Sequence, residues 1–332
     1  MATTFQKHSV NMGTSPFISV VIPTYKRPDL LPRAIASVLA QTYTNWELII
    51  SDDEQRAGNT WQYLKKYAES DQRIRIVQNY GQHGQSGNVN NAMRFAKGKW
   101  IKPLFDDDVL LPDCLEYFAK AAVCCSTAAI ISCRMFCTVN GLRLTPAKLG
   151  KRQGTVEIIP QRYVPLGMYL QEDVGLGTPT QVMVRTDIVK SGVWFEEYPG
   201  LFSGVDTYWF MRVAVHGDAL IINQFLVEMY QGGHETVTSQ MTDERHDLEF
   251  ALLRSMQYDM IDTSIRKPAI AVALQMLALI RSANAYKKGD RKRAFKLVLK
   301  AKNPYSWLLF LRWLFVRKGW MCSVIPRVIC NT

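Results

Sequence analysis

Two groups of carboxylates stand out by residue type and spacing, Asp52-Asp53 and the run Asp106-Asp107-Asp108. Three adjacent carboxylates repel one another, and the cluster is costly unless a cation or hydrogen-bond donors neutralise it. Hard oxygen ligands of this kind suit Mg2+ or Mn2+. An ion held by one or two carboxylates commonly completes its shell with substrate phosphates. The pattern therefore points to a site for a phosphorylated ligand, with a divalent ion offsetting charge on a leaving group. A second reading stands beside it: an Asp run ahead of Pro112 can simply cap the following helix. Glycine-rich phosphate motifs are absent from the sequence. There is no GxxxxGK[ST], and no GxGxxG follows the first strand, so a P-loop NTPase and a dinucleotide-dependent oxidoreductase lose their usual support.

The elements that must position these acids alternate. Ile18–Ile22, Trp46–Ser51, Ile74–Val77 and Trp100–Phe105 read as buried strands. Pro28–Gln41, Thr60–Glu69, Gly87–Ala96 and Pro112–Val123 carry apolar residues at helical spacing. Strands alternating with helices of this length imply βαβ units, a parallel sheet and ligand binding outside the carboxyl ends of the strands. Both acidic groups stand at such ends, Asp52-Asp53 after the second strand and Asp106–Asp108 after the fourth. Beyond residue 125 the pattern changes: strands are expected at Ala128–Val139, Thr180–Val184 and Ala219–Tyr230, and a helix at Asp206–Val215. From Thr242 to about Trp320 the signal is all helical. The organisation this predicts is a lead-in over 1–16, a body over 17–240 and a helical region over 241–332. The body divides near residue 125 into two halves, 17–125 and 126–240.

Charge follows the same division. Of the 40 Lys/Arg residues, 12 fall in 285–332 with one acid, Asp290, leaving 28 basic and 28 acidic residues before them. The net charge of +11 is thus a property of the C-terminal end, which argues against a uniformly basic nucleic-acid binder. Five of the seven cysteines lie between Cys114 and Cys137 without a CxxC pair. Reduced, mostly buried thiols in a cytosolic protein fit this better than zinc. No apolar leader segment is visible in the first 16 residues. No stretch reaches the ~18 apolar residues of a spanning helix.

The segments ISVVIPTYKRPDLLPRAIASVLAQTYTNWELIISDD, GQSGNVNNAMRFAKGKWIKPLFDDDVLLPDCLE, GTPTQVMVRTDIVKSGVWFEE and GVDTYWFMRVAVHGD together resemble the family 2 glycosyltransferases over about residues 17–235. The resemblance implies the GT-A fold, a Rossmann-like α/β architecture with a mostly parallel central sheet and flanking helices, here with a C-terminal helical extension. It also implies an inverting, metal-dependent transfer of a sugar from a nucleotide sugar, a UDP-sugar before dTDP- or GDP-linked ones, to a saccharide hydroxyl. By that resemblance Pro23, Thr24 and Tyr25, with Arg27, match the loop around base and ribose. Asp52 and Asp53 match the acids near base and ribose, although Glu54-Gln55 follow them where Gly-Ser or Asn-Ser is usual. Asn88 and Asn91 match a helix facing the nucleotide and sugar. Asp106, Asp107 and Asp108 match the DXD-type motif at the diphosphate, with Asp108, Asp106 and His234 as metal ligands and Asp107 able to share that role. Asp206 matches the general base, with Val205 where an acidic neighbour is common. For Asp206 a helix-start acid, and for His234 a surface loop histidine, remain open as alternatives. Trp194 and Phe195 fall in the acceptor region, where stacking on sugar and burial in the core are both open.

The basic end is read in two ways. Lys287, Lys288, Arg291, Lys292, Arg293, Lys296, Lys300 and Lys302 precede the aromatic stretch YSWLLFLRWLFVRKGW. Residues 285–320 suit peripheral contact with an anionic membrane, which would place a cytoplasmic enzyme at the inner face of the cell membrane acting on a lipid-linked saccharide of surface polysaccharide or lipopolysaccharide synthesis. They equally suit a helix docked on the body with a solvated basic face. Two rival functions remain: a sugar-phosphate nucleotidyltransferase, disfavoured because PTYKRPD lacks a glycine-rich phosphate loop, and a non-catalytic membrane-binding protein, disfavoured by the acid clusters of a charge-neutral body.

Overall fold

A computed structural model describes residues 15–54, 58–144, 152–170, 172–231, 241–263, 270–287, 289–302, 304, 306–308, 310–311 and 325–331. Among these, the first half alternates as the pattern requires: β1 (Ile18–Thr24), α1 (Leu31–Leu39), β2 (Trp46–Asp52), α2 (Asn59–Ser70), β3 (Ile74–Gln78), α3 (Gln85–Arg94), β4 (Trp100–Pro103), β5 (Val109–Leu110) and α4 (Cys114–Cys124). The second half holds β6 (Ala128–Val139), β7 (Leu142–Arg143), β8 (Thr155–Ile159), α5 (Val164–Leu170), β9 (Val182–Arg185), α6 (Thr186–Lys190), α7 (Val205–Ala214) and β10 (Asp218–Gln231). Then come α8 (Asp243–Met260), α9 (Ile270–Lys287), α10 (Arg291–Val298) and β11 (Val328–Asn331).

All the strands join one sheet in the order β11-β8-β10-β6-β9-β4-β1-β2-β3, with β5 on β10 and β7 on β6. The pairs β1–β2, β2–β3, β1–β4 and β6–β10 are parallel, while β9 runs antiparallel between β4 and β6. Side-chain alternation divides the core. Val20 and Ile22 face the layer of Leu31, Ile35, Leu115 and Phe118, whereas Val21 and Ile49 face Val89, Met93, Trp209 and Phe210. α1 buries Leu31, Ala34, Ile35 and Val38, the i, i+3, i+4, i+7 stripe of an amphipathic helix. It starts at Leu31 rather than Pro28 because the chain must first turn: Lys26 has φ of 53° and Leu31 N donates to Arg27 O at 3.2 Å.

One element was not anticipated and one expectation is corrected. Strand β8 was not anticipated, its five residues being too short to stand out from their polar surroundings. The region 241–332 is not helical throughout. β11 pairs antiparallel with β8, Ile329 opposite Glu157, and Arg327 bonds Glu157 and the Asp173 carbonyl. The helices themselves also pack on the body: Arg254 of α8 donates to the carbonyls of Met168 and Tyr169 at the end of α5. Residues 1–14 of the expected lead-in lie outside the described residues. Cys114, Cys125 and Cys133 are buried and free, as expected, but Cys124 is exposed.

α3 seats against the loop that precedes it with no room to spare. A Cβ on Gly87 would lie 1.7 Å from the Gln82 carbonyl oxygen. Gly87→Ala therefore forces the helix off that loop and is expected to cost about 2–3 kcal/mol, measured as a lowered urea midpoint at unchanged slope.

Candidate active site

The carboxyl ends of β1, β2 and β4 form one polar edge. Thr24 closes β1, and its Oγ1 donates to Asp106 Oδ2 at 2.8 Å. Arg27, three residues on, donates from one nitrogen to Asp106 Oδ1 at 3.0 Å and to Asp107 Oδ2 at 3.1 Å. Arg33 of α1 reaches the Asp107 carbonyl and lies over the Tyr230 ring at 3.5 Å. Asp108 turns the other way, accepting from Thr180 Oγ1 and, at 3.2 Å, from Tyr230 N. Thr180 is held in turn by buried Lys102, which donates to its carbonyl and to the Pro103 carbonyl. Of the predicted loop, Pro23 lies within β1, and Tyr25 is exposed beside it.

These carboxylates are short of compensating charge. Burial pushes Asp106 upward, partly opposed by Arg27 and Thr24. Burial, and then the Asp107 charge, pushes Asp108 to about 7. Asp52, fully buried at the end of β2, is pushed to about 6, chiefly by burial. Its Oδ1 accepts from Glu54 N at 3.0 Å, while its Oδ2 is buried with no partner. An orphaned carboxylate oxygen at a strand end is a polar group waiting for a donor. Asp53 has no such vacancy. It gathers Asn79 Nδ2 (2.7 Å), His83 Nδ1 (2.8 Å) and Gly84 N (2.8 Å), and so folds the 79–84 loop over the edge.

Asn88 and Asn91, expected against the ligand, are spent on the scaffold instead. Asn88 Nδ2 donates to the Thr24 carbonyl at 3.0 Å and Asn88 Oδ1 accepts from Ser51 Oγ at 2.6 Å. Asn91 Nδ2 reaches Ser51 Oγ and the Gln78 carbonyl. They tie α3 to the ends of β1, β2 and β3. Asn90, which sequence reasoning passed over, exchanges two bonds with the Phe195 backbone at 2.8 and 2.9 Å. Phe195 lies edge-on to Trp209 of α7 at 5.3 Å, and Trp209 Nε1 donates to the Val193 carbonyl. Phe195 is thus core; Trp194 is only partly buried and packs against the same layer. The only available signal was the spacing Asn88-Val89-Asn90-Asn91, which points amides to both sides of one helix.

Asp206 stands in the first turn of α7, half-buried, accepting from Thr207 N at 2.6 Å. Burial, with a contribution from Glu249, pushes it to about 6. Its link to the Asp106–Asp108 edge runs through the Phe195–Asn90 contact. Glu249 of α8 was also missed, being 43 residues away in sequence. His234 lies outside the described residues.

Among the described residues no three His, Cys, Asp or Glu side chains converge into a cage for a metal. The donor set does fit a divalent cation held in the open manner, by one or two carboxylates with substrate phosphate completing the shell. Asp106 and Asp108 would supply the oxygen donors, and their upward-shifted values mark charge that a cation would relieve.

A sheet of this order with acids at its strand ends defines a GT-A type α/β fold. It is shared with the crystal structure of S. aureus TarS 1-349 in complex with UDP-GlcNAc, at a TM-score of 0.61 and 16% identity over 95% of this chain and 97% of that one. The family model for glycosyl transferase family 2 matches residues 19–192, and the chain belongs to that family. Shorter stretches match two named relatives. One, 34% identical over 99 residues, is the Escherichia coli UDP-Glc:alpha-D-GlcNAc-diphosphoundecaprenol beta-1,3-glucosyltransferase WfgD. The other, 37% identical over 109 residues, is the Campylobacter jejuni GalNAc(5)-diNAcBac-PP-undecaprenol beta-1,3-glucosyltransferase. These matches take in 30% and 32% of this chain and span 38% and 35% of the relatives' own lengths.

The raised value of Asp206 has a thermodynamic consequence. A carboxyl that titrates near 6 when folded and near 3.9 when unfolded binds its proton more tightly in the folded state, so its charge destabilises the fold above pH 6 and has no effect below pH 4. Asp206→Asn is expected to raise Tm by about 2 °C at pH 7.5, with the gain disappearing near pH 4, as read by calorimetry across that range.

Proposed function

We propose that this protein is an inverting glycosyltransferase that moves a sugar from a UDP-sugar to a saccharide hydroxyl on a lipid-linked acceptor in surface polysaccharide synthesis. The observation that carries the reading is the single polar edge made by Thr24, Arg27, Asp52 and Asp106 at the carboxyl ends of β1, β2 and β4. The UDP-GlcNAc seen in the structurally similar TarS, and the UDP-glucose and undecaprenol-linked substrates in the two relatives' names, support the donor and acceptor classes.

In this reading Asp52, with its free buried oxygen, takes a donor hydrogen from the base or ribose. Tyr25 and the 79–84 loop flank the nucleoside. Arg27 balances Asp106 and Asp107 before the diphosphate arrives, which keeps the edge folded without ligand. A bound Mn2+ or Mg2+ on Asp108 and Asp106 would supply positive charge to the leaving diphosphate. Asp206 removes the proton of the acceptor hydroxyl as that oxygen attacks the anomeric carbon, so an α-linked donor yields a β-linked product. Its value of about 6 leaves it ionised and still basic enough at neutral pH. Titration of the purified protein with UDP, dTDP and GDP by calorimetry, with and without Mn2+, tests the site. UDP is expected to bind at least tenfold more tightly with Mn2+, and Asp108→Ala to remove most of that gain. Asp206→Asn is expected to lower transfer by 100-fold or more with UDP affinity within about twofold of wild type. Failure of all three nucleotides to bind would sink the assignment.

The C-terminal helices support a peripheral membrane contact. α10 docks by Ala294 and Leu297, with Ser282 Oγ of α9 donating to the Ala294 carbonyl at 2.7 Å and Arg293 pairing with Asp247 of α8 at 2.8 Å. Docking does not consume its outer face: Phe295 and Leu299 are 65% and 57% exposed beside Lys292, Lys296 and Lys300. Apolar side chains ringed by lysines suit an anionic lipid surface. Among the described residues no helix is long and apolar enough to cross a membrane. Co-sedimentation with phosphatidylglycerol vesicles is expected at low salt and should fall several-fold at 0.5 M NaCl or in Lys292→Glu/Lys296→Glu. Equal binding to neutral phosphatidylcholine vesicles would argue against the electrostatic contact.

A further inference from the structure

The turn that leads into α7 is held from outside the first 240 residues. Oε1 of buried Glu249 accepts from three successive backbone N–H groups, Phe202 at 2.7 Å, Ser203 at 2.8 Å and Gly204 at 2.6 Å, and Oε2 accepts from Ser203 Oγ at 3.0 Å. Charge-assisted bonds of this kind are about twice as strong as neutral ones, and an anion at a helix start also faces the positive end of its dipole. Burial would push the Glu249 carboxyl up; its donors hold it below the usual glutamate value, so it stays charged. Gly204 leaves the carboxylate room to approach. A Cβ there would lie 2.7 Å from Leu253 Cδ1 and 3.2 Å from Glu249 Oε1. Asp206 follows two residues later, and the position between them is Val205, which brings no charge.

We propose that Glu249 is a positioning residue for Asp206, locking residues 202–204 so that the base is aimed from a rigid turn and supplying the negative charge beside it. This rests on the reading of Asp206 as the base. The arginines on α7, α8 and β6 are committed elsewhere. Arg212 of α7 pairs with Glu196 at 2.6 Å, Arg254 of α8 bonds the α5 carbonyls, Arg245 of α8 lies over the Phe202 ring at 4.3 Å, and Arg134 of β6 pairs with Asp173 at 2.8 Å. α5 brings the phenol of Tyr169 and no charge. Glu249 is the neighbour whose charge adds to the upward push on Asp206.

Glu249→Ala and Glu249→Gln in the full chain, each with and without Asp206→Asn, test this. In Glu249→Ala the amides of 202–204 and 207 are expected to exchange hydrogen at least tenfold faster, with β1 and β2 protection and UDP affinity unchanged. Glu249→Gln keeps an acceptor oxygen and loses the charge. In that background the Tm gain from Asp206→Asn at pH 7.5 is expected to shrink and its midpoint to move to lower pH, which a merely structural contact would not produce. With the donor identified in the nucleotide titrations, kcat should fall at least tenfold in Glu249→Ala at a donor KM within twofold. Unchanged exchange at 202–204, or an identical Asp206→Asn gain in both backgrounds, would overturn the proposal. Full transfer by Asp206→Asn alone would instead overturn the base assignment and leave the Glu249 lock standing.

Discussion

Carboxylates buried at the carboxyl ends of parallel strands must be given donors, and much of this molecule's layout follows from that requirement. Asp106 is satisfied by Thr24 and Arg27, which ties the end of β1 to the turn after β4. Asp108 is satisfied by Thr180 and Tyr230 N, which ties the same turn to the approach to β9 and the end of β10. One run of three acids thus spans the sheet by pointing its side chains in different directions. The cost of burying them is only partly offset by one arginine, and the residual negative charge is what a cation would relieve.

α3 is the second constraint. A helix with three asparagines among four residues has poor intrinsic propensity, yet each amide has a backbone or hydroxyl partner across an interface. Asn88 and Asn91 hold the ends of β1 and β2, and Asn90 holds the Phe195 backbone that leads by Trp209 to α7. Strand ends and α7 are therefore registered to one rigid element. Positioning on regular structure in this way is more accurate than positioning on loops. The exposed tip at Tyr25 can then vary without disturbing the scaffold.

The C-terminal region completes the body rather than trailing from it. β11 extends the sheet at β8, α8 reaches α5 through Arg254 and the α7 turn through Glu249, and α10 is fixed to α9 and α8 while showing a basic, partly aromatic face to solvent. Docking and surface binding, which look like alternatives in the sequence, are compatible because Ala294 and Leu297 face inward while Phe295 and Leu299 face out.

Much of the architecture was legible before the structure, because period is a local property. The buried runs at 18–22 and 46–51, the amphipathic stripe of α1 and the acids just past β2 and β4 each declare themselves within a dozen residues. Short elements did not: β8 and β11 have no pattern of their own and exist because β8 pairs with β10 and β11 pairs with β8. Residue types likewise marked Asp52, Asp53 and Asp106–Asp108 as candidates, since clustered charge at strand ends is conspicuous in sequence, while Asp206 was marked by the family resemblance. What sequence alone could not assign was which polar groups face a ligand and which face the protein. Asn88, Asn91 and Asp53 are spent inside the fold, Asp52 keeps a free oxygen, and Glu249 reaches the turn before α7 from 45 residues beyond Gly204. Those outcomes depend on distances between segments remote along the chain, and only tertiary packing sets them, because a hydrogen bond needs its partner within about 3 Å.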